Sequence, residues 1–361
     1  MPPADLRAEF PVLERMAYMN AGTDGPVPRY AAERAAERAR WELEHGRAGP
    51  EHRASLDRMR EDVRERLAAR LGCETAEVAL THSTTDGVNT VVSGVALGRG
   101  DEILTSTEEH PGLLAPLALA AQRTGARIRT VSFDEIAGEV RARTRLVACS
   151  HVSWVTGRVV EGPALAQSGA VVLLDGAQAL GAIPVDVRAL GCDFYAAAGQ
   201  KWLCGPDGSG CLFVAADRVE GIMPSSPGYE SLADPGRPLE LALHPGARRF
   251  DRGAGSGPLA AFSLASLEVL ERAGWDDVLS RGPTLAARLS GRLAERGIEV
   301  APRGPSTLVS WRDPDPARTV KRLAEERIVV RDIPGHGLVR ASVGAWSNEE
   351  EVDSLAAAAV T

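Results

Sequence analysis

Residues 171–214 read VVLLDGAQALGAIPVDVRALGCDFYAAAGQKWLCGPDGSGCLFV, and their pattern decides the fold. The block 170–174 is almost continuously aliphatic, as in a parallel strand covered on both faces. It ends in Asp175, at the C-terminal edge where open α/β sheets gather ligands. A helix-length crossover follows, then a second apolar run over 192–198 that ends in small residues and delivers Gly199, Gln200, Lys201 and Trp202. Strands separated by helical crossovers recur on both sides of this stretch, which predicts an α/β fold with a mainly parallel, mixed sheet.

An amine just past a small, apolar stretch lies near a low-dielectric pocket, which disfavours its protonated form and frees it as a nucleophile. A carboxylate at the neighbouring strand end can keep a pyridine nitrogen protonated. Asp175 and Lys201 together meet the two demands of pyridoxal 5'-phosphate (PLP), an amine for its aldehyde and an acid for its ring nitrogen. Taken singly, the aspartate reads as a turn or cap and the lysine as a solvated side chain.

The rest of the chain is compatible with such a site. Its 361 residues include 44% hydrophobic and 25% charged residues, ordinary for a soluble globular protein and enough for two or more packed units. A net charge of -8 argues against general attraction to nucleic acid or to an anionic membrane. The opening residues MPPADLRAEF lack the basic and apolar regions of a signal peptide, and no apolar run is long enough to span a bilayer. The five cysteines, at 73, 149, 192, 204 and 211, are scattered without metal-site spacing, as expected for reduced thiols of a cytoplasmic protein.

Asn20, Ala21 and Gly22 open a turn-rich loop, and residues 29–71 read as two helices broken near 45–50. Residues 82–89, HSTTDGVN, lie between a short strand at 78–80 and an apolar helix, so their hydroxyls and amides gather at a helix N-terminus. That is a ready anion site, although Ser83 or Thr84 as a plain cap explains it too. Further strands are expected at 102–104, 128–133 and 146–150, and an irregular segment over 223–257 leads into helices at 259–273 and onward to 296. The tail, 297–361, reads as a smaller α+β unit with strands near 298–300, 307–311, 328–331 and 338–342. The expected division is a large unit over 18–255 and a small one formed by 1–17 with 256–361.

The order D-G-A-Q at 175–178, a crossover, then G-Q-K-W at 199–202 resembles the class V aminotransferase-fold enzymes. This group of type I PLP enzymes includes cysteine desulfurases, isopenicillin N epimerases and cysteine/cystine carbon-sulfur lyases. The resemblance implies that Asp175 pairs with the pyridinium, Gln178 reaches the ring hydroxyl, and Lys201 forms the Schiff base. It assigns Thr84 and Thr85, in a T-T-x-G-x-N pattern, to the phosphate, and lays His110 of E-H-P flat against the ring, where it can assist proton transfer. Gln200, Trp154 and Ser256 complete the expected cofactor contacts. Arg331 and Arg340, flanking DIPGHG, would bind the substrate carboxylate through planar guanidinium groups, with Asn20, Ala21 and Gly22 bordering the substrate. The segment around Arg249-Phe250 implies a homodimer with shared active sites.

Departures refine the expectation. Trp154 stands where desulfurases have asparagine, as in the lyases, and no cysteine occurs between Arg331 and Arg340 to carry a persulfide. Ala198 replaces a hydroxyl, Gln200 replaces a histidine, and Ala254 falls where a hydroxyl often meets the partner's phosphate; each lost neutral hydrogen bond costs ~0.5–1.5 kcal/mol. The expected activity is PLP-dependent cleavage of the β carbon-sulfur bond of cysteine, cystine or a cysteine conjugate. Epimerisation or transamination of an amino acid would share the same carbanion. A non-catalytic PLP-binding or interaction protein is the alternative of another class.

Overall fold

The computed structural model describes residues 3–252 and 255–360. Its strands are β1 (Ala17–Tyr18), β2 (Val78–Thr81), β3 (Glu102–Ser106), β4 (Arg127–Val131), β5 (Thr144–Ser150), β6 (Val171–Asp175), β7 (Phe194–Ala198), β8 (Gly210–Val214), β9 (Leu308–Arg312), β10 (Ile328–Val329), β11 (Arg331–Ile333) and β12 (Leu338–Ser342). The helices are α1 (Pro3–Ala8), α2 (Arg29–His45), α3 (Pro50–Leu71), α4 (Thr84–Gly94), α5 (Pro111–Thr124), α6 (Gly162–Ala166), α7 (Val187–Leu190), α8 (Gly257–Ala273), α9 (Trp275–Glu295), α10 (Pro316–Glu325) and α11 (Glu349–Ala358).

Among the described residues, β2-β8-β7-β6-β5-β3-β4 form a seven-stranded sheet. Only β8 runs against its neighbours, antiparallel to β2 and β7; the other pairs are parallel, as expected of an α/β fold. Every residue of β7 is buried, because both faces are covered. Side chains alternate between two cores, as period-two geometry requires. Leu173, Phe194 and Ala196 meet Val88 and Val91 of α4 and Leu113 and Leu117 of α5. Val172, Leu174, Tyr195 and Ala197 meet Leu67 and Leu71 of α3 and Leu267 and Leu270 of α8 on the other side. Each fully buried aliphatic or aromatic side chain contributes about 1.5–3 kcal/mol.

A second sheet, β11-β12-β9, is antiparallel and packs with α9 and α11 over a separate core that includes Leu289, Trp311, Val339 and Leu355. The chain's beginning touches both: Leu6, Phe10 and Leu13 pack in the core that holds Leu174 and Leu267, whereas β1 pairs in parallel with β10, Ala17 opposite Ile328. Arg7 adds an ion pair to Glu351 at 2.6 Å and a bond to the Trp346 carbonyl at 3.0 Å. Among the described residues, no helix is long and apolar enough to cross a membrane.

Several boundaries differ from the sequence reading. The crossover between β6 and β7 is mostly turns, with a single short helix closed by the Asp186 cap and by Gly191 at φ +63°. The strand expected at 298–300 reduces to one bridge, Val300 to Trp311, because Pro302 has no N–H to extend a ladder. The stretch 328–331 divides at Val330, its first half joining β1 and its continuation joining β12. The strand expected at 128–133 stops at Val131 and gives way to a 3-10 turn, Phe133–Glu135.

Candidate active site

The C-terminal edges of β5, β6 and β7 lie side by side, with Ser150 beside Asp175 and Asp175 beside Ala196. The chain leaves β6 through Gly176, where a Cβ would fall 2.1 Å from the Tyr195 ring, so glycine is required for this exit. Asp175 is buried, and the Ala177 amide donates to its Oδ1 at 2.9 Å. Burial raises the Asp175 pKa, opposed by the Lys201 charge and by the Ala177 amide. Burial also lowers Lys201 to about 8; Asp175 works against that fall, and the Arg340 and Arg331 charges add to it. The two groups thus sense one another across a cavity of about 240 Å³ that both line.

One end of this cavity is built for an anion. α4 starts directly after β2, and Ser83 takes the capping role by accepting from the Asp86 amide at 3.1 Å. Thr84 and Thr85 are left at the first turn, lining the cavity, and Thr84 Oγ1 is buried with no hydrogen-bond partner among the described residues. Unpaired amides and the helix dipole favour negative charge here. Gln200 also lines the cavity, and its Oε1 is likewise buried without a partner among the described residues. Ala198 forms part of the wall and divides it from a small cavity of about 30 Å³ bordered by Val63 and Leu67.

The other end is aromatic and cationic. His110 caps α5 with its own ring, its Nδ1 accepting from the Gly112 amide at 3.0 Å, which leaves the proton of the neutral imidazole on Nε2. Burial, with the Lys201, Arg331 and Arg340 charges, pushes its pKa down to about 4, so the ring is neutral at physiological pH. Trp154 meets His110 edge to face, centroids 4.9 Å apart at 85°, and Arg331 lies over the indole at 5.8 Å. Arg331 donates to Thr23 Oγ1 at 3.1 Å, and Thr23 in turn to Asn20 Oδ1 at 2.9 Å. Arg340 is fully buried; its Nη1 donates to the Trp154 carbonyl at 2.7 Å, while Nε and Nη2 have no partner among the described residues. Gln178 bridges the two ends, donating to the Gly22 carbonyl at 2.7 Å and accepting from Trp202 Nε1 at 3.1 Å.

The fold therefore brings Asp175, Lys201, His110, Thr84, Thr85, Gln178, Gln200, Trp154, Arg331 and Gly22 to one cavity. Arg340 lies immediately behind Gly22, where a Cβ would stand 2.8 Å from Arg340 Nη2. Ala21 is fully buried and Asn20 bridges to Ser342, so both support the loop while Gly22 and Thr23 face the cavity. Ser256 is placed elsewhere: it caps α8 by accepting from the Leu259 amide at 3.3 Å and does not line this cavity. Ala254 lies outside the described residues. Sequence reasoning did not single out Thr23, Ser150 or Ala177, which also line it. Thr23 was readable as the hydroxyl following Gly22; Ser150 emerges only from its pairing with Asp175.

A buried acid, a buried amine with a depressed pKa, and unpaired hydroxyl and amide donors at a helix start suit a ring that bears a nitrogen, an aldehyde and a phosphate. The site is that of a PLP enzyme built on an open α/β sheet. Residues 27–355 match the model of the class V aminotransferases. The chain belongs to that family, and PLP is its cofactor. It is 35% identical to a cysteine desulfurase of Klebsiella pneumoniae (strain 342) over 258 residues, 63% of this chain and 62% of that protein. The chain thus spans less than two thirds of the desulfurase's length. It is 30% identical to the isopenicillin N epimerase of Amycolatopsis lactamdurans over an alignment of 404 residues, covering 98% and 97% of the two chains. Among solved structures it is similar to the cystine C-S lyase C-DES in complex with its product cysteine persulfide, with a TM-score of 0.91 at 28% identity over 97% of this chain and 99% of that one. A C-DES mutant with glycine covalently linked to its PLP gives a TM-score of 0.92 at 28% identity, covering 98% of both chains.

Proposed function

We propose that the protein cleaves the β carbon-sulfur bond of cysteine, cystine or a cysteine conjugate. The observation that carries this reading is a pairing of presence and absence at the substrate end. Arg331 lines the cavity beside Trp154, the buried Arg340 guanidinium stands directly behind Gly22, and none of the five cysteines lines the cavity. With no thiol there to receive sulfur, the sulfur leaves as a small molecule. Bound PLP supplies an electron sink that stabilises negative charge at the substrate α-carbon.

The chain's own groups would do the rest. Thr84, Thr85 and the α4 amides hold the phosphate, and Asp175 keeps a proton on the ring nitrogen. Arg340 and Arg331 fix the substrate carboxylate, which aligns the α-hydrogen with Lys201. Lys201, whose burial favours the free amine, is the group placed to remove that proton as general base once the substrate amine has taken its place on the aldehyde. His110 and Trp154 wall the reacting carbons from water. Departure of the β-sulfur leaves a fragment that hydrolyses to pyruvate and ammonia. A homodimer, with the segment around Arg249 and Ser256 reaching the neighbouring subunit's phosphate end, belongs to the same reading.

The epimerase relative matches nearly the whole chain, which favours epimerisation as the second reading. Incubation of the PLP-loaded protein with cystine or cysteine, with assays for pyruvate and released sulfur, separates the two. Pyruvate in step with sulfur release supports the lyase. Solvent deuterium entering the α-carbon without pyruvate discards it in favour of the epimerase.

A further inference from the structure

Two glutamates bracket β3, and the fold treats them in opposite ways. Glu102, buried at its start, receives Arg129, Arg143 and Thr144, and although burial works to raise its pKa these partners hold it down to about 2. Glu109, buried just beyond its end, receives hydrogen bonds from neutral groups: Ser106 Oγ at 2.5 Å, Ser150 N at 2.9 Å and Ser150 Oγ at 2.6 Å. The ionisable groups facing it are Asp175 on β6 and the Cys149 thiol on β5, with neutral His110 next in the chain. Burial, with Asp175 adding to it, raises Glu109 to about 7 against the pull of the serine hydrogen bonds.

Ser150 connects this acid to the site. It ends β5, is the register partner of Asp175, and lines the cavity. While Glu109 is ionised, it accepts both the amide and the hydroxyl proton of Ser150, and that hydroxyl is committed backward. Once Glu109 carries a proton, its O–H must donate, and the oxygens in reach are those of Ser106 and Ser150. Ser106 Oγ already accepts the Glu108 amide at 3.1 Å. Ser150 is the hydroxyl with somewhere to turn, because its other side is the cavity beside Asp175.

We propose that Glu109 and Ser150 form a proton-holding pair beneath the cavity floor, in which the ionisation of Glu109 decides whether the Ser150 hydroxyl points back at Glu109 or forward beside Asp175. Glu109 is a positioning residue, acting on the cofactor end through Ser150. This rests on the cavity being the PLP site and is independent of which substrate bond breaks.

The test is a pH titration of the visible PLP absorption of the loaded protein between about pH 5.5 and 8.5, across the Glu109 value of about 7. The wild type gives a step centred near neutrality, and both Glu109→Gln and Ser150→Ala flatten it. A step that persists in Glu109→Gln overturns the proposal. Loss in Glu109→Gln with an unshifted step in Ser150→Ala overturns the part given to the hydroxyl. Melting of the cofactor-free protein gives a second readout. Glu109 holds its proton more tightly folded than unfolded, so its contribution is fully present below about 4.5 and is lost as pH rises through about 7. The melting temperature therefore falls across that window, and Glu109→Gln reduces the fall; an equal slope in wild type and variant overturns the proposal. Protein that gains no visible band with PLP refutes the cofactor reading, and the melting comparison still decides this one.

Discussion

Arg331 and Arg340 stand directly opposite one another across the β11–β12 hairpin, two like charges in register, with Arg340 completely buried. Like charges so placed destabilise a sheet, and burial together with Arg331 pushes Arg340 down to about 9. Such an arrangement is relieved by an anion. Arg340→Met should therefore raise KM for the amino-acid substrate about 10- to 100-fold, the loss of a charge-assisted hydrogen bond of ~1.5–3 kcal/mol, with a smaller change in kcat. The melting temperature of the cofactor-free variant should hold or rise, since buried donors without partners disappear. Steady-state kinetics and a thermal melt check this; an unchanged KM with a large fall in melting temperature would assign Arg340 to structure alone.

Lys201 carries a prediction about rate and pH. Its folded pKa is depressed from 10.5 to about 8, so the free amine grows as pH rises through that value. Capture of PLP by cofactor-free protein, trapped with borohydride, should accelerate with a midpoint near pH 8 and be absent in Lys201→Ala. The same depression makes folding less favourable below about pH 8 and less so as pH rises toward 10.5. Lys201→Met should accordingly melt higher than wild type at neutral pH. A capture midpoint near 10 would contradict the buried setting.

Ala198 borders both the active-site cavity and the small one behind it, so a serine hydroxyl has room on either side. Ala198→Ser should tighten PLP binding about two- to tenfold, the equivalent of one neutral hydrogen bond of ~0.5–1.5 kcal/mol. Absorbance titration of the cofactor-free variant reads this directly. Equal or weaker binding would mean the side chain does not address the cofactor.

The turn that carries Trp154 is tied to Glu108, whose carboxylate accepts from Ser153 Oγ, Thr156 Oγ1 and Arg158 Nη1. Ser153 Oγ in turn accepts from the amides of Val155 and Thr156. Glu108→Ala should release that turn, costing ~1–3 kcal/mol of stability for donors left unpaired, and raise KM more than it lowers kcat. Denaturant unfolding beside kinetics measures both; loss of stability with KM intact would show that the turn does not aim Trp154.

What was legible in the chain follows the reach of its interactions. Asp175, Lys201, Thr84 and Thr85 end or follow strands with strong local patterns, and strand ends in a parallel sheet meet at one edge whatever the rest of the chain does. Ser150 and Glu109 depend on which strands become neighbours, a long-range fact with no local signature. The strand at 298–300 failed for a nearby reason, Pro302, whereas the division at Val330 arose from a partner more than three hundred residues away. Arg340 was visible as a cation, but its lack of a counter-charge among the described residues was not, since that depends on everything packed around it.

The pairing of β1 with β10 continues into the entrance loop, where the Ser342 amide donates to the Met19 carbonyl and the Gly25 amide reaches the Gln200 carbonyl at 2.7 Å. The rim of the cavity is thereby geared to the C-terminal sheet on one side and latched beside Lys201 on the other. Any tilt of that sheet drags the doorway with it, so substrate entry and the position of the two arginines are one movement rather than two.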